Sequence, residues 1–577
     1  MKTFTSVSVV SMLVLAGAAQ AGVCPSTNVI QDPGPFQWTD NGTYFSGTLE
    51  IGAANLTVGG ESLTTRAYRQ YDPNDPTGTD FTIPGPTMTM IPGETYVLTF
   101  RNALEYETPS PEHNVLKDPN ITNIHTHGLH VSGETPADDV TRLINGGQCG
   151  DYVYEIPPDH MGGTLWYHAH HHGSTWLQVA GGAFGMLIVN DPTNKDAVPD
   201  NVLGMTDRQL AIAFLDPGVA GVGGDTLMDG TLSPTWTVNG KVEGNLCAPA
   251  NEWQHWRVLL ADADARMKTL SVGPTCEVAL MARDGVWRTE APLVLGSNEI
   301  ELTGASRADL AVRCTADSTI SVNGTVVANV LADAGQAANE TVGPWDGGAT
   351  GGVWSAARPY YLRDLKGVTS VNSQSINMGA RSVAGSKFNA DEANFSVNTD
   401  AVQEFTIKGA TNHPYHQHVY HFQTQQACGD FEDGEYYDTI AANCDVRFDL
   451  NSTDPFSSVY DGRTIMHCHI LEHEDQGAMG WFDVLGGDPP PQFPDPANQQ
   501  VLYDCVAGGP PVCEPTEPGT ELTCDDGLDN DCDGFIDDAD PDCAAPPVDC
   551  SQYGDRDSCR AEPSCRWSNK DQVCIAR

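Results

Sequence analysis

Positive charge is scarce: 29 Lys and Arg stand against 77 Asp and Glu across 577 residues, for a formal charge of −48. A surface of that sign repels nucleic-acid phosphates and anionic membrane surfaces, which argues against the first as a partner and disfavours the second. Long amphipathic patterns at three- and four-residue spacing are nearly absent, which argues against a helical or α/β fold. After residue 21 no stretch stays apolar for the roughly 18 residues that a membrane-spanning helix requires. Disorder of the whole chain is excluded too, because 40% of the residues are hydrophobic.

What remains is strand-like. Short β-branched or aromatic runs such as TYVLTF (95–100), GMLIVND (185–191), RVLLAD (257–262) and EFTIKG (404–409) alternate with turns drawn from 58 Gly and 38 Pro. That text predicts β-sandwiches. The first 21 residues, with Lys2, an apolar run and Ala19-Gln20-Ala21, have the form of a signal peptide, so a secreted or periplasmic location is expected. Export leads to an oxidising compartment, where cysteines pair. The count of 17 leaves one without a partner. Composition shifts near residue 487, where GGDPPPQFPDPANQQ reads as a proline-rich linker into an acidic tail holding nine cysteines.

Fourteen of the 17 histidines fall in four short windows: HTHGLH (125–130), HAHHH (168–172), HPYHQHVYH (413–421) and HCHILEH (467–473). Along a strand, residues i and i+2 share a face, so each H-x-H directs two imidazoles into one cavity. The pairs are His125/His127, His168/His170, His416/His418 and His467/His469. Imidazoles alone suit Cu, Zn, Ni or Fe. Cys468 narrows the choice. It lies between two candidate ligands and therefore points to the opposite face, where His413 and His473 complete the two-imidazole, one-thiolate set of blue copper. The unpaired cysteine is thereby a metal ligand. A one-electron site at Cys468 is also continuous through the backbone with His467 and His469, and one blue copper plus three more would store the four electrons that dioxygen needs to become water.

The four windows, read in order as HTHG, WYHAH, HPYHQH and HCHILEH, resemble the signatures of the multicopper oxidases, the group that includes laccases. IPGPTMTMIPGETYVLTFRN (83–102), VNGK (238–241), EWQHWRVLLADADAR (252–266) and GASRADLAV (304–312) extend the resemblance from about residue 40 to 487. It implies an all-β chain of three cupredoxin-like Greek-key β-sandwich domains at 22–195, 196–375 and 376–487. These follow the signal peptide at 1–21 and precede the linker and small disulfide-rich acidic module at 488–577. It also implies four Cu ions. His413, Cys468 and His473 would hold the type 1 ion, and His125 and His416 the type 2 ion. His127, His168 and His469 would hold one type 3 ion, and His170, His418 and His467 the other. His130, His171, His172 and His421 fall outside the pattern as supporting or surface residues. Glu474, in HEDQG, and Asp138 and Asp139, in TPADDV, stand where relatives carry proton-relay acids. Ten residues after the cysteine, where bacterial relatives often carry an axial methionine, stands Ala478. Met479 follows it and is expected to pack rather than ligate. A type 1 copper without an axial thioether has a raised potential.

Dioxygen is the implied acceptor, and a phenol or arylamine the first-ranked donor. The 13 Met are scattered with no Met-rich insert, which tells against a dedicated Cu(I) oxidase. The acidic, aromatic segment between Cys428 and Cys444, closed by a disulfide, offers carboxylates to a phenol or to Mn(II) or Fe(II), so a metal-ion oxidase ranks second. A non-catalytic copper-binding or electron-transfer protein leaves the additional imidazoles unexplained. In the tail, Asp529, Asp531 and Asp533 followed by Gly534, then Asp537 and Asp540, have the spacing of a calcium-wrapping loop without EF-hand flanks. The last four cysteines (550–574) suggest a disulfide-stapled module that binds a surface or matrix component. Setting Cys468 aside leaves seven cysteines before the linker and nine after it. Both numbers are odd, so full pairing requires a bond between body and tail. Cys505 is the candidate, its partner unspecified.

Overall fold

The computed structural model describes residues 24–505, apart from 76–77, 191–198, 201, 347–352, 370–371 and 452–457, together with the strands Cys565–Ser568 and Val573–Ala576. The signal-like segment and the aspartates Asp529, Asp531, Asp533, Asp537 and Asp540 lie outside the described residues.

β-Branched and aromatic runs with small or polar residues between them form strands, some buried on one face and some, such as Gly163–His168, Phe184–Val189 and Gln254–Ala261, on both. In the first sandwich Phe45–Val58, Glu61–Gln70, Thr95–Asn102 and Gln148–Glu155 belong to one sheet. The facing sheet runs Gly85–Met90, Phe184–Val189, Gly163–His168, His125–His127. Leu49, Ile51, Leu98, Phe100, Tyr152 and Leu187 fill the space between them. The second sandwich sets Thr206–Leu215, Gln254–Ala261, Arg307–Cys314 and Cys276–Arg283 against Gly244–Pro249, Thr325–Asp333, Ser318–Val322, Lys268–Val272 and Glu299–Leu302. The third sets Asn372–Gly379, Val402–Lys408, Cys444–Asp449 and Phe422–Thr424 against Phe395–Asn398, Met479–Leu485, Gly462–Cys468, Tyr415–Gln417 and Thr439–Ile440. Its core contains Phe405, Phe448, Phe482 and Cys468. This is the all-β, cupredoxin-like architecture that the strand text and the resemblance imply.

The three sandwiches repeat one topology. Each has a parallel pair in its first sheet, namely Phe45–Val58 with Thr95–Asn102, Thr206–Leu215 with Gln254–Ala261, and Asn372–Gly379 with Val402–Lys408. Each has another in its second: Gly85–Met90 with Phe184–Val189, Gly244–Pro249 with Thr325–Asp333, and Phe395–Asn398 with Met479–Leu485. A parallel pair needs a crossover rather than a hairpin, so the repetition is one of connectivity as well as of shape.

Segments also cross between sandwiches. Asp229–Gly230 pairs with Glu61–Gln70 at the edge of the first sheet. At its other edge Tyr503–Asp504 pairs with Gln148–Glu155. Disulfides join Cys24 to Cys247, Cys276 to Cys314, Cys428 to Cys444 and Cys149 to Cys505. The bond across the 428–444 segment is thus present, and Cys505 finds its partner in the first sandwich. Cys468 is free and buried. The C-terminal unit contributes one antiparallel pair, Cys565–Ser568 with Val573–Ala576.

Candidate metal centre

Two pairs of adjacent strands carry the histidines. In the first sandwich His125–His127 runs antiparallel to Gly163–His168 with His125 opposite His168. In the third, Tyr415–Gln417 runs antiparallel to Gly462–Cys468 with His416 opposite His467. Alternation along the strand turns His125 and His127 to one side; His170, His418 and His469 instead stand one or two residues past the ends of the strands that carry His168, His416 and His467, and the two sets still interleave. His125 stacks on His418 with ring centroids 3.7 Å apart, and His127 on His416 at 3.8 Å. His170 meets His467 at 4.9 Å, and His469 lies 5.3 Å from His127 and 5.8 Å from His168. All eight are buried. Ligating nitrogens converge in the sets His170/His418/His467, His125/His127/His168 and His125/His416/His418. The structure therefore brings together all eight residues of the sequence-derived cluster.

Their chemistry fits a metal. Burial, reinforced for most of them by neighbouring imidazoles, pushes all eight below the usual histidine range, so each is neutral with a lone pair available. His125 Nε2, His127 Nδ1, His168 Nε2, His416 Nε2, His418 Nε2 and both ring nitrogens of His469 are buried without a hydrogen-bond partner. Orphaned polar atoms at that density cost several kcal/mol in total at about 1–3 kcal/mol each. Metal bonds remove that cost.

On the other face of the Cys468 strand, His413, Cys468 and His473 converge, with Sγ 3.7 Å from His473 Nδ1 and the two Nδ1 atoms 3.2 Å apart. Burial pushes the Cys468 thiol up to about 12, so a thiolate there requires a compensating cation. Cys468 N–H donates to the Ala478 carbonyl at 2.9 Å, and Ala478 lies in the core around Cys468. Met479 is buried in a separate cluster with Val140 and Ile465. It packs as the strand alternation predicts.

The acids behave differently from one another. Asp138 Oδ2 lies 2.7 Å from His125 Nδ1, while its Oδ1 accepts from Thr126 N at 2.7 Å; burial pushes its carboxyl up to about 8. Asp139 accepts from Thr135, Thr141 N and Thr141 Oγ1 and pairs with Arg463, with no contact to the cluster. A cavity of about 480 Å3 is lined by Ser132, Glu155, Tyr460, Asp488 and Ala137, the chain neighbour of Asp138. Glu474, on the short helix Leu471–Asp475, is fully buried and faces His172 Nδ1 at 3.6 Å and His170 Nδ1 at 3.9 Å. Burial pushes its carboxyl up to about 8 as well.

Of the other histidines, His130, His171 and His421 are buried and His172 half-buried; His130 bonds the Val419 and Ser458 carbonyls, and His421 the Asp284 carbonyl. None of these four is a surface residue. Three carboxylates of the disulfide-closed segment are engaged, Glu432 with Arg288, Asp433 with Lys366 and Glu435 with Arg358, while Asp430 is exposed.

Three residues had no signature in the sequence. Asp475 accepts from the backbone N–H groups of Gly173, Thr175 and Trp176, tying the HAHHH loop to the Glu474 helix. Asp438 Oδ1 lies 3.2 Å from His127 Nε2, and its backbone carbonyl 2.8 Å from His416 Nδ1. Burial opposes ionisation of Asp438, but Arg307 outweighs it and holds the carboxyl below the usual range. Arg307 comes from the second sandwich. In the sequence it stands within GASRADLAV (304–312).

Family models described as multicopper oxidase match residues 64–194 and 358–488, the segments that contain all four histidine windows. A laccase of Bacillus subtilis (strain 168) is 25% identical over 523 residues, spanning 78% of this chain and 96% of its own. A crystal structure of a laccase from Pediococcus acidilactici superposes with a TM-score of 0.61 at 19% identity, covering 79% of this chain and 94% of that one. A multicopper oxidase from Campylobacter jejuni, described as a metallo-oxidase, gives 0.59 at 18% identity, with 80% and 96% covered.

Proposed function

The chain belongs to the multicopper oxidase family, and from that premise we propose a secreted oxidase that takes single electrons from phenolic or arylamine donors and uses four of them to reduce dioxygen to water. Copper ions, when bound, supply the electron-accepting and oxygen-reducing chemistry. His413, Cys468 and His473 would hold the type 1 ion, and His125 with His416 the type 2 ion. His127, His168 and His469 would hold one type 3 ion, and His170, His418 and His467 the other.

The observation that carries the reading is the position of Cys468. Its side chain converges with His413 and His473, while its peptide neighbours His467 and His469 belong to the imidazole cluster behind it. Electrons leaving the thiolate side thus have a path of a few covalent bonds to the oxygen side. Protons have two holders. Glu474 keeps one at its carboxyl near neutrality beside His170 and His172, and Asp138 Oδ2 accepts the one on His125 Nδ1, one residue from the cavity lining at Ala137. Asp139 braces the Asp138 loop through its threonine and Arg463 contacts.

The engaged carboxylates of 428–444 favour an organic donor over a metal cation. The likeness to the Campylobacter jejuni metallo-oxidase keeps a metal-ion oxidase as the second reading. Export is supported by four disulfides. Oxygen uptake by the copper-loaded full chain with a phenol, an arylamine, Mn(II), Fe(II) and Cu(I) tests the proposal. Uptake with the organic donors, lost with the blue absorption in Cys468→Ser, is expected. Uptake with metal ions alone transfers the assignment to the second reading, and none from fully loaded protein reduces it to copper binding.

A further inference from the structure

We infer that Arg307, in the sandwich that supplies none of the eight clustered imidazoles, is a positioning residue for the copper cluster and acts through Asp438. The inference rests on the reading of His127 and His416 as copper ligands. Arg307 is fully buried, and its guanidinium grips Asp438 with both ends: Nη2 to Oδ2 at 2.5 Å and Nη1 to Oδ1 at 3.1 Å. The fork is itself fixed, because Nε donates to the Thr164 carbonyl at 3.2 Å and Nη1 to the Ala305 carbonyl at 3.1 Å. Thr164 belongs to the strand that ends in His168. The clamp therefore joins the second sandwich to a histidine-bearing strand of the first and, through Asp438, to the segment beside the His416 strand of the third.

Asp438 then acts on two imidazoles at once. Its Oδ1, also bonded by Thr439 Oγ1 at 3.0 Å, is a carboxylate acceptor 3.2 Å from His127 Nε2. That contact places the ring proton on Nε2 and leaves Nδ1, which has no partner, as the lone-pair nitrogen. Its backbone carbonyl accepts from His416 Nδ1 and leaves the partnerless Nε2 as the lone-pair nitrogen there. One residue thus selects the tautomer of both stacked rings. Without Arg307, Asp438 would lose the bidentate contact that sets the direction of its carboxylate.

An interface role alone would be a different matter, since a buried ion pair adds little net stability compared with apolar packing. Residues that orient metal ligands change metal affinity by about 10–100-fold. The decisive variant is the charge-neutral double substitution Arg307→Met with Asp438→Asn, examined as full chain with and without copper. Chelator competition should give copper affinity in the histidine cluster about 10–100-fold weaker than wild type. The rise in melting temperature on copper loading should shrink. The blue absorption of the Cys468 site should persist. Arg307→Lys, which keeps the charge but not the fork, should fall between, and it decides the matter should the double variant not fold. Wild-type affinity and an undiminished copper-induced rise in either folded variant, whatever its copper-free stability, overturn the inference. A wild-type chain that binds no copper through the clustered histidines overturns the ligand reading itself, and this inference with it.

Discussion

Gly128, the last residue of HTHG, follows His127 with φ at +88°. A Cβ there would stand 2.5 Å from Arg307 Nη2, 2.9 Å from Leu165 Cδ2 and 3.0 Å from Asp438 Oδ2. Gly128→Ala therefore imposes two separable costs. A left-handed backbone with a Cβ costs about 1–2 kcal/mol, and forcing an extra carbon into a filled site about 1–3 kcal/mol. Together they give roughly 2–5 kcal/mol. Arg307 cannot swing aside to relieve the second, because its nitrogens are bonded to Asp438, Thr164 and Ala305. Gly60 isolates the first cost: its φ is +92° and nothing lies within 4 Å of a Cβ built there. Urea unfolding of the copper-free full chain, followed by circular dichroism, should put Gly60→Ala about 1–2 kcal/mol below wild type and Gly128→Ala clearly lower still. Gly128→Ala should also bind cluster copper more weakly. A Gly128→Ala protein no less stable than Gly60→Ala would refute the idea that the Arg307–Asp438 pair fills that space rigidly.

Glu474→Gln should cut oxygen-reduction turnover by about 10²–10⁴-fold, the usual worth of a positioned acid or base, with copper content and blue absorption unchanged; wild-type turnover in steady-state oxygen consumption would remove Glu474 from the proton path. His160 accepts from His130 N through Nε2 and bonds the Met161 carbonyl through Nδ1, and burial lowers it to about 3. The unfolded chain takes up that proton near 6.5, so the neutral form's contribution is complete above 6.5 and is lost as pH falls toward 3. The slope is up to about 1.4 kcal/mol per pH unit. Stability of the copper-free protein between pH 7 and 5 should accordingly fall less steeply in His160→Gln, and parallel slopes would contradict the assignment. A chain ending just after Cys505 should keep full oxygen uptake, whereas one ending near residue 490 should expose a free thiol at Cys149 and melt earlier. Equal melting of the two would deny any role to the strand Tyr503–Asp504.

Ligand geometry was legible because it is local. Two histidines one residue apart stay near each other on a strand, as His125 and His127 do, or just past its end, as His170, His418 and His469 do, and an odd cysteine between two such histidines needed only parity to identify. The strand text of the three sandwiches was legible for the same reason. The supporting residues were not. Asp438 is 311 residues from His127 and 131 from Arg307, and only the meeting of three sandwiches brings them together. Asp138 and Asp139 are adjacent and chemically identical, yet one loop residue's difference in direction gives His125 to the first and the threonines to the second. The acidic segment 428–444 looked free to bind a donor because its Arg and Lys partners are encoded 67–144 residues earlier. Parity required a bond between body and tail and pointed to Cys505, but Cys149 lies 356 residues away and had no motif to mark it.

The Cys149–Cys505 bond also decides where mechanical load enters the molecule. Tension applied at the C terminus of the oxidised chain reaches Cys505 first. From there it passes through sulfur to the strand Gln148–Glu155, bypassing the stretch from Asp488 to Gln500 and the third sandwich that precedes it. A protease cut between residues 489 and 500 would accordingly leave two polypeptides that travel as one until a thiol separates them. Under reduction the same pull would bear on Met479–Leu485, the strand bonded along its length to the one carrying His467 and Cys468. An immobilised or tethered form of the protein thus has the strand carrying His467 and Cys468 shielded from strain by a single covalent shunt, and only while that shunt stays oxidised.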